Sequence, residues 1–143
     1  MSGRAAPGVP PGAPEVLVVD DDRDWAFLVE LALGFEGFRV VHASSGDEAL
    51  AMLKEGEPDA IVLDIGLPDI DGWEVLRRLT GRDRSAEIPV LVTSGWAGGA
   101  AVARVAELGG HAYLPKPCHL AELARAVRSL CGMGPEAPSG GPG

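Results

Sequence analysis

A chain of 143 residues with 46% hydrophobic content is long and apolar enough to build one globular domain around a single core. Its formal net charge of −9 argues against non-specific binding to nucleic acid or to an acidic membrane, since both need a basic surface. No run approaches the roughly 18 consecutive apolar residues of a membrane span, and Met1-Ser2-Gly3-Arg4 leads into Pro and Gly rather than a signal-peptide stretch, so a cytoplasmic protein is expected.

Residues 1–14 are dominated by Gly, Pro and Ala, and residues 133–143 repeat that composition, so both read as disordered tails around a core at 15–132. Within the core, short apolar runs alternate with helical patterns five times, as in successive βα units of a parallel sheet. Val16-Leu17-Val18-Val19 is too uniformly apolar for a one-sided strand, and the helix after it is read with a core stripe of Leu28, Leu31, Ala32 and Phe35. Phe38 to His42 reads as a second strand, followed by a capping box of Ser45 and Glu48 that opens a helix burying Ala49, Leu50 and Leu53. Ala60-Ile61-Val62-Leu63 is a third strand; Asp71 with Glu74 can cap the next helix, which buries Val75, Leu76 and Leu79. Val90-Leu91-Val92-Thr93 is a fourth strand, and a helix around Val102, Val105 and Leu108 follows a Gly-rich turn. His111 to Leu114 is a fifth strand, and its stop at Pro115 suits a sheet edge. The last helix has the clearest period, with Leu120, Leu123, Ala124, Val127, Leu130 and Cys131 on one face. Cys118 and Cys131 have neither metal-ligand spacing nor a secretory setting, and reduced thiols are expected.

The polar residues that close these strands carry the chemistry. Ligands of an open parallel sheet bind beyond the carboxyl ends of its strands, where Asp20 and Asp21, Asp64, Ser94 and Lys116 would meet. A carboxylate there can become an acyl phosphate if a donor is held in line and its charge is neutralised. Asp64, leaving the third strand into an exposed Ile65-Gly66-Leu67-Pro68 turn, is the nucleophile this reading selects. Crowded carboxylates repel and need a counterion, for which Mg²⁺ with its preference for oxygen ligands is suited. Lys116 can set its ammonium against Asp64 or a transferred phosphoryl oxygen, and the Ser94 hydroxyl can donate to another.

Val18-Val19-Asp20-Asp21-Asp22, Leu63-Asp64 running to Leu67-Pro68-Asp69-Ile70-Asp71-Gly72, Thr93-Ser94-Gly95 and Leu114-Pro115-Lys116-Pro117 together resemble the four signature blocks of the response-regulator receiver domain. The resemblance covers essentially the whole core. It implies a flavodoxin-like (βα)5 fold, a doubly wound parallel sheet of strand order 2-1-3-4-5 in a single domain. It further implies that Asp64 accepts a phosphoryl group from a histidine kinase or histidine phosphotransfer protein. Asp21 and Asp64 would bind Mg²⁺ directly, Asp20 through water, and Gly66 through its carbonyl. Ser94, 30 residues after Asp64 and 22 before Lys116, takes the hydroxyl switch position, and Tyr113 is the switch aromatic. A cis Lys116-Pro117 bond is implied too, proline being almost the only residue for which cis is cheap. The domain would catalyse only its own phosphorylation and dephosphorylation and signal through the face of its fourth helix, fifth strand and fifth helix. Homodimerisation on phosphorylation is compatible with it.

Several residues have a plainer reading beside the functional one. Asp22 reads as a helix cap rather than a third ligand, and Tyr113 is first a half-buried packing residue. Trp25 and Trp73 sit at the edges of their helical stripes, with Trp25 also placed to anchor a kinase or phosphotransfer partner. His119 is a weak cap for the last helix, and His42, His111 and His119 are too scattered for a histidine metal site. Gly66 and Trp96 occupy the two positions that, in such a family, influence how quickly the phosphoryl group is lost. The alternative function is a phosphorylation-independent interaction module with the same fold. A flavin-binding protein would need a phosphate-binding loop where Asp20-Asp21-Asp22 stands, and no helix-turn-helix or basic region suggests direct nucleic-acid contact.

Overall fold

The protein was analysed as a computed structural model that describes residues 12–66, 72–80, 88–95 and 99–133. The sheet consists of β1 (Glu15–Val19), β2 (Arg39–Ala43), β3 (Ala60–Asp64), β4 (Val90–Ser94) and β5 (Ala112–Pro115). Between and after the strands run α1 (Arg23–Phe35), α2 (Gly46–Leu53), α3 (Gly72–Thr80), α4 (Gly99–Glu107) and α5 (Leu120–Leu130). All strand pairs are parallel, in the order β2-β1-β3-β4-β5. This is the parallel sheet of βα units that the alternating pattern predicts, in the doubly wound order that the family resemblance implies.

The sheet is buried on both faces, which is why its inner strands read as unbroken apolar runs. Side chains alternate between two clusters with the period of two that a strand imposes. Leu17, Val19, Ile61, Leu63, Val90 and Val92 face one cluster, closed by Ala49 and Leu53 of α2, Val75, Leu76 and Leu79 of α3, and Val105 of α4. Val16, Val18, Ala60, Val62 and Leu91 face the other, closed by Ala26, Val29 and Leu33 of α1 and Leu123, Ala124 and Val127 of α5.

The α1 stripe is a correction to the sequence reading. Leu28, Leu31 and Phe35 are exposed, Phe35 at 86%, while Ala26, Val29 and Leu33 are buried. Apolar residues lie nearly all round this helix, so periodicity leaves its rotation open. The rotation is set instead by the short Asp20–Asp22 connection and the Asp22 cap, whose Oδ1 accepts from the Trp25 amide at 3.1 Å. Val102 of α4 is likewise exposed, whereas Val105 is buried and Leu108 half-buried.

Boundaries shift by a residue at β2, which ends at Ala43 with Phe38 buried before it, and at β5, which runs from Ala112 through Pro115 on the sheet edge. Ser45 caps α2 by accepting from the Glu48 amide, but Glu48 returns its carboxylate to the amide and hydroxyl of Ser44. His119 makes no side-chain cap for α5, and Trp73 is more deeply buried than an edge position suggests. Ala13 is buried, the Pro14 carbonyl accepts from the Arg39 amide at 2.9 Å, and Met133 packs on the α1–α5 cluster. The remaining tail residues, 1–11 and 134–143, lie outside the described residues, as do Leu67, Pro68, the Asp71 cap and Trp96.

Gly72 opens α3 directly against the β3–α3 turn, its amide donating to the Ile65 carbonyl at 3.1 Å. A Cβ at this position would collide with the Ile65 backbone, so only glycine fits the close approach. Gly72→Ala should therefore cost roughly 1–3 kcal/mol in urea unfolding, the range for overpacking. In the same assay Leu33→Ala should cost roughly 2–5 kcal/mol and Leu31→Ala well under 1, a contrast that the reverse helix rotation would invert.

Candidate functional site

Strand register assembles the site. Val19 pairs with Leu63, so Asp20 and Asp64 leave adjacent strands at the same level. Asp64 pairs with Thr93, and Ser94 with Pro115, so Ser94 and Lys116 arrive one strand further along. Backbone bonds extend the ladder past the strand ends: Asp20 to the Ala43 carbonyl, Ile65 to that of Thr93, and Lys116 to that of Ser94 at 2.7 Å. The Lys116–Pro117 bond is cis.

Carboxylate oxygens of Asp20, Asp21 and Asp64 lie within 4.8 Å of one another, Asp20 and Asp64 buried and Asp21 exposed. The Lys116 ammonium stands 2.8 Å from Asp20 Oδ2 and 3.4 Å from Asp64 Oδ2. Its nearer partner is thus Asp20, where the sequence reading aimed it at Asp64. Both acids are also held by local amides: Asp20 Oδ1 accepts from Asp22 N at 2.9 Å, and Asp64 Oδ1 from Gly66 N at 3.0 Å. The Asp20 carbonyl accepts from His42 Nε2 at 2.7 Å, and His111 Nδ1 accepts from the Val90 amide, which gives two of the three histidines structural duties.

Burial pushes the Asp20 carboxyl above its usual range, against the opposing pull of the Lys116 hydrogen bond. Burial pushes the Lys116 ammonium down, but the Asp20 and Asp64 carboxylates outweigh it and hold the group above its usual value. Both free thiols, Cys118 and Cys131, are half-buried and pushed up chiefly by burial, as befits packing residues.

Asp64, Ile65, Gly66, Trp73, Ser94, Gly95, Arg104 and Lys116 line an open cavity of about 520 Å³. Ser94 is 5% exposed. Tyr113 is half-buried against the α2–α3–α4 cluster and lies outside that lining. Trp25 lies near the acidic cluster, its ring centre 5.9 Å from Lys116 Nζ. Sequence reasoning missed Trp73 and Arg104 as pocket walls. Neither closes a strand, and only the packing of α3 and α4 over the strand ends brings them there.

Residues 16–128 match the family described as response regulator receiver domain. The chain belongs to this family. It is 45% identical over 120 residues to the transcriptional regulatory protein PrrA of Mycobacterium tuberculosis, covering 82% of this chain and 50% of the relative. It is 43% identical over 117 residues to the response regulator MprA of Mycobacterium avium, covering 80% and 50%. The chain thus spans about half the length of the curated relatives it matches. Among solved structures, it resembles a putative response regulator from Chloroflexus aurantiacus at a TM-score of 0.78 and 32% identity, covering 84% of this chain and 98% of the other. The signal receiver domain of a histidine kinase from Syntrophus aciditrophicus superposes at 0.76 and 31% identity, covering 84% and 91%. Receiver domains work in two-component signalling and bind Mg²⁺ in an acidic pocket, the kind of pocket Asp20, Asp21 and Asp64 form here.

A carboxyl whose pKa is raised by folding opposes stability once pH passes its unfolded value, and that cost is complete above its folded value. At neutral pH and without divalent metal, Asp20→Asn should therefore raise the melting temperature by a few degrees. Millimolar Mg²⁺ should raise the melting temperature of the wild type and raise that of the variant less, both effects being read by calorimetry.

Proposed function

We propose that this receiver is a phosphoacceptor in which Asp64 takes a phosphoryl group from a phosphohistidine of a histidine kinase or histidine phosphotransfer protein. The observation that carries this reading is the placement of the Asp64 carboxylate on an open cavity, 3.4 Å from the Lys116 ammonium and beside Asp20 and Asp21. An Asp64 oxygen attacks phosphorus in line with the nitrogen bond. A P–O bond forms as the P–N bond breaks, and the imidazole leaves with the electron pair, neutral when its other nitrogen carries a proton. Lys116 stabilises charge on the phosphoryl oxygens, and Ser94 donates its hydroxyl to another of them.

Three carboxylates gathered within 4.8 Å of one another, two of them against one partly buried ammonium, suit an oxygen-seeking cation. Asp21 and Asp64 with the Gly66 carbonyl would hold Mg²⁺ directly and Asp20 through water; when bound, Mg²⁺ neutralises the crowded acids and the incoming phosphoryl oxygens. Dephosphorylation is attack of water on phosphorus, which breaks the P–O bond to Asp64, restores its carboxylate and releases inorganic phosphate, so the domain acts only on itself. Ser94 moving toward phosphorylated Asp64, with Tyr113 following, would bias the face formed by α4, β5 and α5 between two states. That face would engage the downstream partner, homodimerisation included. Half-buried Trp25, whose ring centre lies 5.9 Å from Lys116 Nζ, is the α1 residue that would anchor the histidine donor beside the site. The charge of −9 supports a domain that itself makes no direct nucleic-acid contact.

Incubation with Mg²⁺ and acetyl phosphate should give an acid-labile phosphoprotein, and Asp64→Asn should reduce labelling at least a hundredfold while leaving the far-UV circular dichroism unchanged. Labelling retained at another aspartate would overturn the assignment.

A further inference from the structure

Arg104 is the pocket residue for which the phosphoacceptor reading has no use. Its guanidinium carbon lies 4.6 Å from the centre of the Trp73 ring, and both side chains line the cavity that holds Asp64, Ser94 and Lys116. They come from different elements. Trp73 sits in the first turn of α3 with its ring packed into the core at 8% exposure. Arg104 projects from the exposed side of α4, whose rotation is set by the buried neighbour Val105. A guanidinium over an indole face at such a site is held only weakly, by about 0.5–1 kcal/mol. A forked, charge-assisted bond to a phosphate is stronger and suits arginine's planar donors.

Charge balance supplies the reason for such a bond to form. Asp20, Asp21 and Asp64 bring three negative charges and Lys116 one positive charge, so a divalent cation leaves the set neutral. Converting Asp64 to an acyl phosphate replaces one negative charge with about two, leaving one in excess in a partly desolvated pocket. Among the described residues lining the cavity, Arg104 is the cation other than Lys116.

We propose that Arg104 is a second cationic anchor for the phosphoryl group on Asp64, resting on Trp73 in the unphosphorylated protein and leaving it to pair with the phosphoryl oxygens. This rests on the reading of Asp64 as phosphoacceptor. The anchor ties α4 to the phosphoryl group through a side chain of its own, in parallel with the Ser94 route, and makes the indole environment of Trp73 report on the switch.

The test is binding of the phosphoryl mimic beryllofluoride, in Mg²⁺, to the wild type, Arg104→Gln, Arg104→Lys and, as a control for lost charge, Arg125→Gln on the exposed side of α5. Arg104→Gln should weaken the mimic at least tenfold, Arg104→Lys should recover part of that loss, and Arg125→Gln should bind as the wild type does. In a Trp25→Phe, Trp96→Phe background, beryllofluoride should change Trp73 emission, and Arg104→Gln should remove that change. Wild-type binding with Arg104→Gln equally tight would overturn the anchor while leaving the phosphoacceptor reading intact. A wild type that does not bind the mimic would overturn both.

Discussion

One ammonium group holds this site together. Lys116 lies within 3.4 Å of carboxylates from two neighbouring strands, and it does so from the end of a third. Without a cation between them, Asp20 and Asp64 would face each other at close range in a partly buried setting, where like charges are costly. Burial still leaves the Asp20 carboxyl above its usual range, despite the hydrogen bond from Lys116. With three carboxylates gathered about it, the pocket carries more negative than positive charge of its own.

That arrangement depends on the register of a sheet buried on both faces. Two layers of helices, α1 and α5 on one side and α2, α3 and α4 on the other, pin the strands so that their carboxyl ends finish level. Stability and chemistry are thus divided along β1 and β3: the apolar runs build the core, and Asp20 and Asp64 at their ends join the acidic cluster. Gly72 belongs to the same plan, because it sets the start of α3 against the Ile65 backbone, one residue from Asp64.

Where sequence reading and structure part, the cause can be named residue by residue. For α2, α3 and α5 the apolar residues fall on one face, and Ala49, Leu53, Val75, Leu76, Leu79, Leu123, Ala124 and Val127 are buried as the period predicts. In α1 apolar residues surround the helix, and the smaller set of Ala26, Val29 and Leu33 goes inward. Arg128 of α5 is buried at 4% exposure and stands 3.7 Å from Glu36 at the end of α1, a pairing across two helices that no local pattern foretells.

Alternation of apolar runs with helical periods was enough to indicate a parallel α/β sheet with Asp20, Asp21, Asp64, Ser94 and Lys116 at its strand ends, and the resemblance of four sequence blocks to the receiver domain supplied the family and the strand order. These are local properties of the chain, since a strand's burial is written in its own residues and its final polar residue in its own sequence. Tertiary structure alone decided the rotation of α1, the preference of Lys116 for Asp20 over Asp64, and the arrival of Trp73 and Arg104 on the pocket wall. Each of these is a contact between elements distant in sequence, and its energy depends on separations and orientations that exist only once the sheet has brought those elements together.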